Sequence, residues 1–158
     1  MVPTLQGSGR CALTGIALLL SAMAANAQSM PSEDAIRRML ATALDNIHRA
    51  QCGNQPCAPA TGAEKANPPL TLAEARFVIS RAALSAVGEF CRLDWQQQNF
   101  LPMMEYWRTR QRKSDRQLAL IAILHGFMQT EVQKTFASKP PCNERDRRDV
   151  AARLPFRP

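Results

Sequence analysis

The sequence predicts an all-α fold: an antiparallel bundle of four main helices with a short C-terminal helix, stapled by two disulfides. Two observations favour helices, because apolar residues recur at helical spacing and no stretch alternates apolar and polar residues as a half-buried strand does. An even number of cysteines after the N-terminal segment favours the disulfides. With 158 residues, 46% of them hydrophobic and 21% charged, the chain has the composition and length of one globular domain.

Residues 1–27 are predicted to be a cleaved secretory signal peptide. Arg10 is their only charged residue, an apolar run (12–24) follows, and residues 25–27 form the small-x-small sequence Ala-Asn-Ala that signal peptidase requires. The apolar run is shorter than the roughly 20 residues that span a bilayer, although a retained membrane anchor is the alternative. We therefore expect a periplasmic or secreted protein, with residues 28–158 as a single helical domain without a transmembrane segment.

The first helix is predicted over residues 32–50. Ser32 can cap its first backbone N–H groups, and Glu33 and Asp34 favour the positive end of the helix dipole. Residues 51–70 interrupt the apolar spacing with repeated Pro and Gly. They predict a Pro/Ala-rich connecting loop that is mobile at the surface beyond its first part.

Two longer helices begin at capping boxes, in which a Ser or Thr is followed three residues later by Glu or Gln. These helices are predicted over 72–93, after Thr71, and over 115–136, after Ser114. The first half of the later helix, residues 118–128, is apolar nearly all round. Such a sequence is typical of a helix in the middle of a bundle.

Two further helices complete the predicted bundle, over residues 95–113 and about 144–154. Asp94 resembles the start of another capping box, and Asn143 can cap the C-terminal helix. Pro102 lies within the first of these helices and removes a backbone donor there. We therefore expect that helix to kink or restart at the proline.

Four cysteines remain after the predicted signal peptide, which in an exported chain indicates two disulfides. Zinc binding is the alternative, but no pair has C-x-x-C spacing and the chain has only two histidines. In an antiparallel bundle the second and fourth helices run the same way, so their C-terminal ends lie together. We therefore predict a Cys91–Cys142 disulfide, with Cys52–Cys57 as the remaining pair.

The charge distribution predicts a binding surface. The net charge is +7, of which Arg10 in the predicted signal peptide supplies one, and the remaining surplus of Lys and Arg lies in residues 95–117 and 139–158. Three arginines follow one another at steps of four, which favours a common helix face, and two aromatic residues accompany them. A solvated basic face over a Met and Trp core is the alternative. The predicted surface consists of Trp95, Tyr106, Arg108, Arg112 and Arg116.

The expected partner is an acidic protein or another anionic component of the envelope. A basic stripe more often indicates nucleic acid, but an exported protein seldom meets it, so nucleic acid is not expected. The sequence does not predict an oligomeric state.

His125 completes the predicted binding set. It lies in the most apolar helix beside Gly126, and it is either a buried, hydrogen-bonded histidine or a pocket residue that responds to pH. The sequence shows no paired catalytic carboxylates, no serine nucleophile with a base and no metal-ligand spacing. It therefore predicts no catalytic residue, no metal and no cofactor.

The dipeptides Phe90-Cys91, at the end of one helix, and Pro141-Cys142, after another, are similar to a pattern in some small helical periplasmic immunity proteins against secreted toxins. The similarity covers these two dipeptides and carries no site residue over. The leading hypothesis is a small exported helical binding or interaction protein without catalytic activity. The alternatives are an enzyme of unrecognised type centred on His125 and an envelope chaperone-like or immunity-type protein.

Overall fold

The computed structural model describes residues 31–158; the predicted signal peptide, residues 1–27, lies outside them. The described residues are mostly helical and carry both predicted disulfides, which confirms the all-α fold class. Their α-helices are α1 (Glu33–Asp45), α2 (Gly62–Ala66), α3 (Leu72–Phe90), α4 (Leu101–Thr109), α5 (Asp115–Lys134) and α6 (Glu144–Arg153). A 3₁₀ turn (Ile47–Arg49) and a π-helical turn (Gln96–Phe100) flank α1 and α4, and β1 (Gln51–Cys52) pairs antiparallel with β2 (Gln55–Pro56).

The helices begin at the predicted caps. Ser32, Thr71, Ser114 and Asn143 each accept a hydrogen bond from the backbone N–H three residues further on. At Thr71 and Ser114 the second half of the capping box is also formed, since the side chain three residues on accepts from the cap backbone N–H. Each box satisfies two backbone donors that the helix itself leaves free.

The helices end earlier than the sequence predicted. The helix predicted over 32–50 gives way after Asp45 to the 3₁₀ turn. The helix predicted over 72–93 ends at Phe90, because Arg92 adopts a φ of 56°. A left-handed residue reverses the chain and stops the helical hydrogen bonds.

The helix predicted over 95–113 is two elements. The π-helical turn comes first, and α4 follows it without a break, with Pro102 in its first turn. α4 ends at Thr109, and Arg112, with a φ of 51°, lies in the turn that leads to α5.

The predicted loop over residues 51–70 contains secondary structure that the sequence reading missed. The Cys52–Cys57 disulfide closes a short hairpin with the two Cα atoms 4.9 Å apart. Further on, Thr61 and Glu64 form a capping box that starts α2. The connecting segment therefore contains a hairpin and a short helix.

The bundle has the predicted direction of its helices. α3 and α5 run parallel, because Ser85 of α3 meets His125 of α5 and, nearer the C-terminal ends, the rings of Phe90 and Phe136 stack 4.6 Å apart. The Cys91–Cys142 disulfide joins those ends, with its Cα atoms 5.0 Å apart. The core lies between α1, α3, α4 and α5, and its largest fully buried side chains include Ile36, Leu40, Leu44, Ile79, Met103, Leu120, Ile121 and Leu124.

The C-terminal end of α6 packs against α3 at Gly88, which has no side chain. A Cβ at Gly88 would lie 3.0 Å from Leu154 Cδ1 and 3.3 Å from Trp95 Cβ. Gly88 therefore lets the end of the C-terminal helix and the start of the π-helical turn approach the same point of α3.

Candidate functional site

The three arginines of the predicted binding surface do not lie on one helix. The sequence placed Arg108, Arg112 and Arg116 together by their spacing of four, but α4 ends at Thr109 and Arg116 belongs to α5. The left-handed turn at Arg112 breaks the helical spacing on which the prediction rested. The prediction of a common helix face for the three arginines is therefore wrong.

The side chain of Arg116 makes hydrogen bonds within the protein. Its guanidinium binds the carboxylate of Glu64 through Nε and Nη2, at 2.5 and 2.8 Å, and donates to the carbonyls of Ala58 and Pro59. The hydrogen bond from Arg116 lowers the pKa of Glu64 from 4.5 to about 2, with the backbone N–H of Thr61 acting in the same direction. This bidentate pair holds the connecting segment onto α5.

Arg108 and Arg112 remain at the surface. Arg108 lies 3.8 Å from Asp115 in an ion pair whose side chains are both more than half exposed. Exposed pairs of this kind contribute little to stability, so Arg108 stays accessible to a partner. Arg110 and Arg112 are also exposed, and these three residues form what we call the basic turn.

His125 and Trp95 belong to a polar cluster inside the bundle. Ser85 Oγ lies 3.1 Å from His125 Nε2, and Asn99 Nδ2 donates to the same hydroxyl at 2.7 Å. Asn99 also donates to the carbonyl of Arg81 and accepts from its Nε at 2.5 Å. Ser85, Asn99 and His125 are all at most 2% exposed.

Aromatic rings cover the imidazole of His125. The ring of Trp95 stacks on it with centroids 6.0 Å apart, and the ring of Phe100 lies at 4.8 Å. Burial lowers the pKa of His125 from 6.5 to about 4, and the positive charge of Arg81 acts in the same direction. The imidazole is therefore neutral at pH 7, and the Ser85 hydroxyl can donate its hydrogen to Nε2.

This cluster resembles a nucleophile and base only in its residue types. A catalytic serine must reach a substrate carbonyl or phosphoryl group, whereas Ser85 is fully buried and already bonded on both sides. The arrangement can instead fix four elements against one another, since the partners come from α3, α5, the π-helical turn and, through Arg81 and the carbonyl of Leu154, the C-terminal tail.

The outward face of α4 offers a different kind of site. Leu101 is 46% exposed, and among residues 31–158 it is the one large hydrophobic side chain that faces solvent to this extent. It shares a surface cleft of about 430 Å³ with Pro102, Met104, Glu105 and Arg108. Apolar area beside a guanidinium is typical of protein-binding surfaces.

Tyr106 lies on another side of α4 from this cleft. Its hydroxyl accepts from Gln111 Nε2 at 2.7 Å, and its ring contacts Trp107 and Phe156. Tyr106 is half-buried, so it contributes to a separate aromatic cleft rather than to the surface around Leu101.

A wider groove of about 640 Å³ separates α1 from α5. Met39 and Phe127 are among its apolar lining residues, and Arg38 and Glu131 among its charged ones.

Within the described residues no cluster of three His, Cys, Asp or Glu side chains is placed to hold a metal ion. None of the helices described is both long and apolar enough to cross a membrane.

Sequence reasoning missed Leu101 and the partners of His125. Leu101 follows Phe100 and carried no signal beyond its apolar character. Asn99 and Arg81 meet across 18 residues of chain, and Ser85 and His125 across 40. Only the folded bundle brings such distant residues together.

Comparison of the chain with protein-family models, with curated proteins and with solved structures finds no match. Any functional inference therefore rests on the geometry above.

Proposed function

We propose that this protein is a non-enzymatic binding protein of an oxidising, extracytoplasmic compartment, and that it binds an acidic protein through the outward face of α4 and the basic turn. The observation that carries the proposal is the exposed Leu101 in one cleft with Met104 and Arg108. Apolar side chains next to an exposed guanidinium are a combination enriched in protein–protein interfaces, where Met and Arg are over-represented.

The composition of this surface favours a protein over a polyanionic glycan or a lipid headgroup. Leu101, Pro102 and Met104 need an apolar counterpart, which a protein surface supplies together with carboxylates. The guanidinium of Arg108 can bind a carboxylate in bidentate fashion, and Arg110 and Arg112 extend the positive charge.

Two disulfides support the proposed compartment, because such bonds persist where thiols are not kept reduced. The burial of His125 and Ser85 supports a non-catalytic role over an enzyme centred on His125. If the enzyme alternative holds, a broad activity screen of residues 28–158 will find a turnover that His125→Ala removes while the fold stays intact.

The test is a quantitative capture experiment with residues 28–158 immobilised and periplasmic extract of the source cell. We expect an acidic protein to be enriched by the wild type and lost with Leu101→Ser or with the double variant Arg108→Gln/Arg112→Gln. Its binding should weaken as salt rises, because exposed charges are screened over about 8 Å at physiological ionic strength.

The matched control is Arg148→Gln, which removes one exposed arginine from α6, a helix that packs on α3. Arg116 is left unchanged, since its loss would disturb the connecting segment. A partner that binds the Leu101 and double-arginine variants as tightly as the wild type would overturn the proposed surface. Capture of anionic lipid or glycan alone would overturn the proposed partner.

A further inference from the structure

The groove between α1 and α5, which we call the α1/α5 groove, is lined by residues of these two helices alone. Met39 of α1 and Phe127 of α5 supply apolar surface there, and both side chains also pack against the hydrophobic core. Met and aromatic residues are enriched where proteins bind one another. The groove is therefore a formed apolar surface on the outside of the bundle.

Gly126 of α5 lies on the same side of its helix as this groove. It is exposed, and it lies one helical turn before Thr130, which lines the groove. Apart from its own helix backbone and its chain neighbours, a Cβ at Gly126 would meet no atom within 4 Å. Glycine inside a helix is less stable than alanine, so the packing of this chain gives no reason for a glycine here. The close approach of a backbone from another molecule does give one.

The two walls of the groove carry opposite charges. Arg38 lies on the α1 wall and Glu131 on the α5 wall, and both residues are exposed. Glu131 pairs with Lys134 on its own helix, but both side chains of that pair are more than half exposed. Such a pair contributes little to stability, so the carboxylate of Glu131 stays accessible to a second cation.

The positive surplus of this protein lies outside α1 and α5. α1 carries two bases and three acids, and α5 carries two of each, in a chain whose net charge is +7. Two copies of the chain can therefore meet through these two helices without bringing their surplus charges together.

We propose that the α1/α5 groove binds a second copy of this chain, in a two-fold symmetric dimer where Arg38 of each copy meets Glu131 of the other. In such an interface every contact occurs twice with the roles exchanged, so a face that binds itself needs each charge accompanied by its opposite. The apolar surface of Met39 and Phe127 is buried, and Gly126 lets α5 approach the other copy closely.

The pair of opposite charges selects this occupant over others. A strongly acidic partner would face Glu131, and an apolar small molecule would remove water from Arg38 and Glu131 without pairing either. Taking water from an unpaired charge is costly. An identical face pairs both charges at once.

This inference is independent of the proposed function. It uses none of Leu101, Arg108 or Arg112, and either surface can fail while the other stands.

Sedimentation equilibrium of residues 28–158 tests for the dimer, over concentrations from about 1 µM to 1 mM, the range of affinities expected for a small interface. We expect a reversible monomer–dimer equilibrium. Gly126→Gln should weaken the dimer at least tenfold, because the added side chain stands where the other copy approaches. The fold of this variant should persist in urea denaturation, since its Cβ meets open space. A wild type that stays monomeric throughout, or a Gly126→Gln dimer as tight as the wild type, would overturn the inference.

Charge reversal identifies the contact. Arg38→Glu and Glu131→Arg should each weaken the dimer about tenfold, because two attractive pairs become two repulsive ones. The double variant, and an equimolar mixture of the two single variants, should recover the affinity, since each restores both opposite-charge pairs. Native mass spectrometry of the mixture should show the mixed dimer in excess over either homodimer.

Arg37→Glu is the matched control, since it makes the same change in charge at an exposed neighbour whose partner is Glu33 on its own helix. It should not weaken the dimer. If it weakens the dimer as much as Arg38→Glu, net charge governs association and the proposed pairing is wrong. A dimer that ignores both reversals and is lost with Leu101→Ser would place the contact on α4, which also overturns the inference.

Discussion

Arg116 on α5 and Glu64 on α2 lie 52 residues apart in the chain and form a bidentate ion pair. The same guanidinium donates to the carbonyls of Ala58 and Pro59, while Glu64 also accepts from the backbone N–H of Thr61. One arginine therefore fastens the backbone and the helix cap of the connecting segment together. A lysine in its place has no planar fork for these contacts.

Replacement of this arginine should loosen the connecting segment. We expect Arg116→Gln to lower the free energy of unfolding by about 1 kcal/mol, because the pair is only partly buried, with the two side chains 26% and 22% exposed. Trypsin should cleave after Lys65, in α2, several-fold faster than in the wild type. Limited proteolysis followed by mass spectrometry measures this rate.

Arg112→Gln is the matched control, since Arg112 is exposed and four residues from Arg116. It should leave the cleavage after Lys65 unchanged. If both variants accelerate cleavage equally, net charge rather than the Arg116 contacts governs the segment.

The connecting segment also shows what the sequence could and could not predict. Helix starts were predictable because a cap is local chemistry, as at Thr71 and Ser114. Thr61 and Glu64 have the same capping-box spacing, but the Pro and Gly residues around them indicated a loop. Helix ends were less predictable, because the left-handed residue Arg112 carries no sequence signal of its own.

The candidate site was harder to predict than the fold. The disulfides followed from helix direction, which is a property of the whole bundle. The surroundings of His125 instead depend on residues from three other elements. One of these residues, Asn99, lies in a π-helical turn, which hydrophobic periodicity does not reveal. The spacing of four residues predicted a helix face shared by Arg116 and the preceding arginines. The turn before α5 interrupts the helix, so this shared face does not form.

The buried hydroxyl of Ser85 should matter more than an ordinary helical serine. Ser85→Ala leaves Asn99 Nδ2 and His125 Nε2 without this partner inside the bundle. We expect a loss of about 1–3 kcal/mol in the free energy of unfolding, measured by urea denaturation.

Ser80→Ala is the control on the same helix. The Ser80 hydroxyl donates only to the carbonyl of Phe77, three residues earlier. This variant should change stability by less than about 0.5 kcal/mol. Equal losses for the two variants would show that the buried cluster adds nothing beyond helix propensity.

His125 should make stability depend on pH. Its pKa is about 4 in the folded protein against 6.5 in the unfolded chain. Between these values the unfolded chain binds the proton and the folded protein does not, so stability rises with pH across this window. The free energy of unfolding therefore receives the full benefit of a neutral His125 above pH 6.5. It falls by up to about 3 kcal/mol as the pH drops towards 4.

Urea denaturation at pH 7, 5.5 and 4 measures this dependence, with His125→Gln as the comparison because Gln does not titrate. We expect the stability of the variant to change much less between pH 6.5 and 4. Glu64, with a pKa of about 2 in the folded protein against 4.5 in the unfolded chain, also lowers stability as the pH approaches 4, but it does so in both proteins and cancels in the comparison. The same pH slope in wild type and variant would mean that another group titrates in this range.

The two disulfides should contribute unequally because they close loops of different length. Cys91–Cys142 joins residues separated by 51 positions, and Cys52–Cys57 joins residues separated by 5. In the chain-entropy model the long bridge stabilises the fold by about 4 kcal/mol and the short one by about 2 kcal/mol. Paired Cys→Ser variants of each bridge, compared by urea denaturation, test this difference. Equal losses, or a larger loss for the short bridge, would show that the hairpin at Cys52–Cys57 contributes native contacts beyond chain entropy.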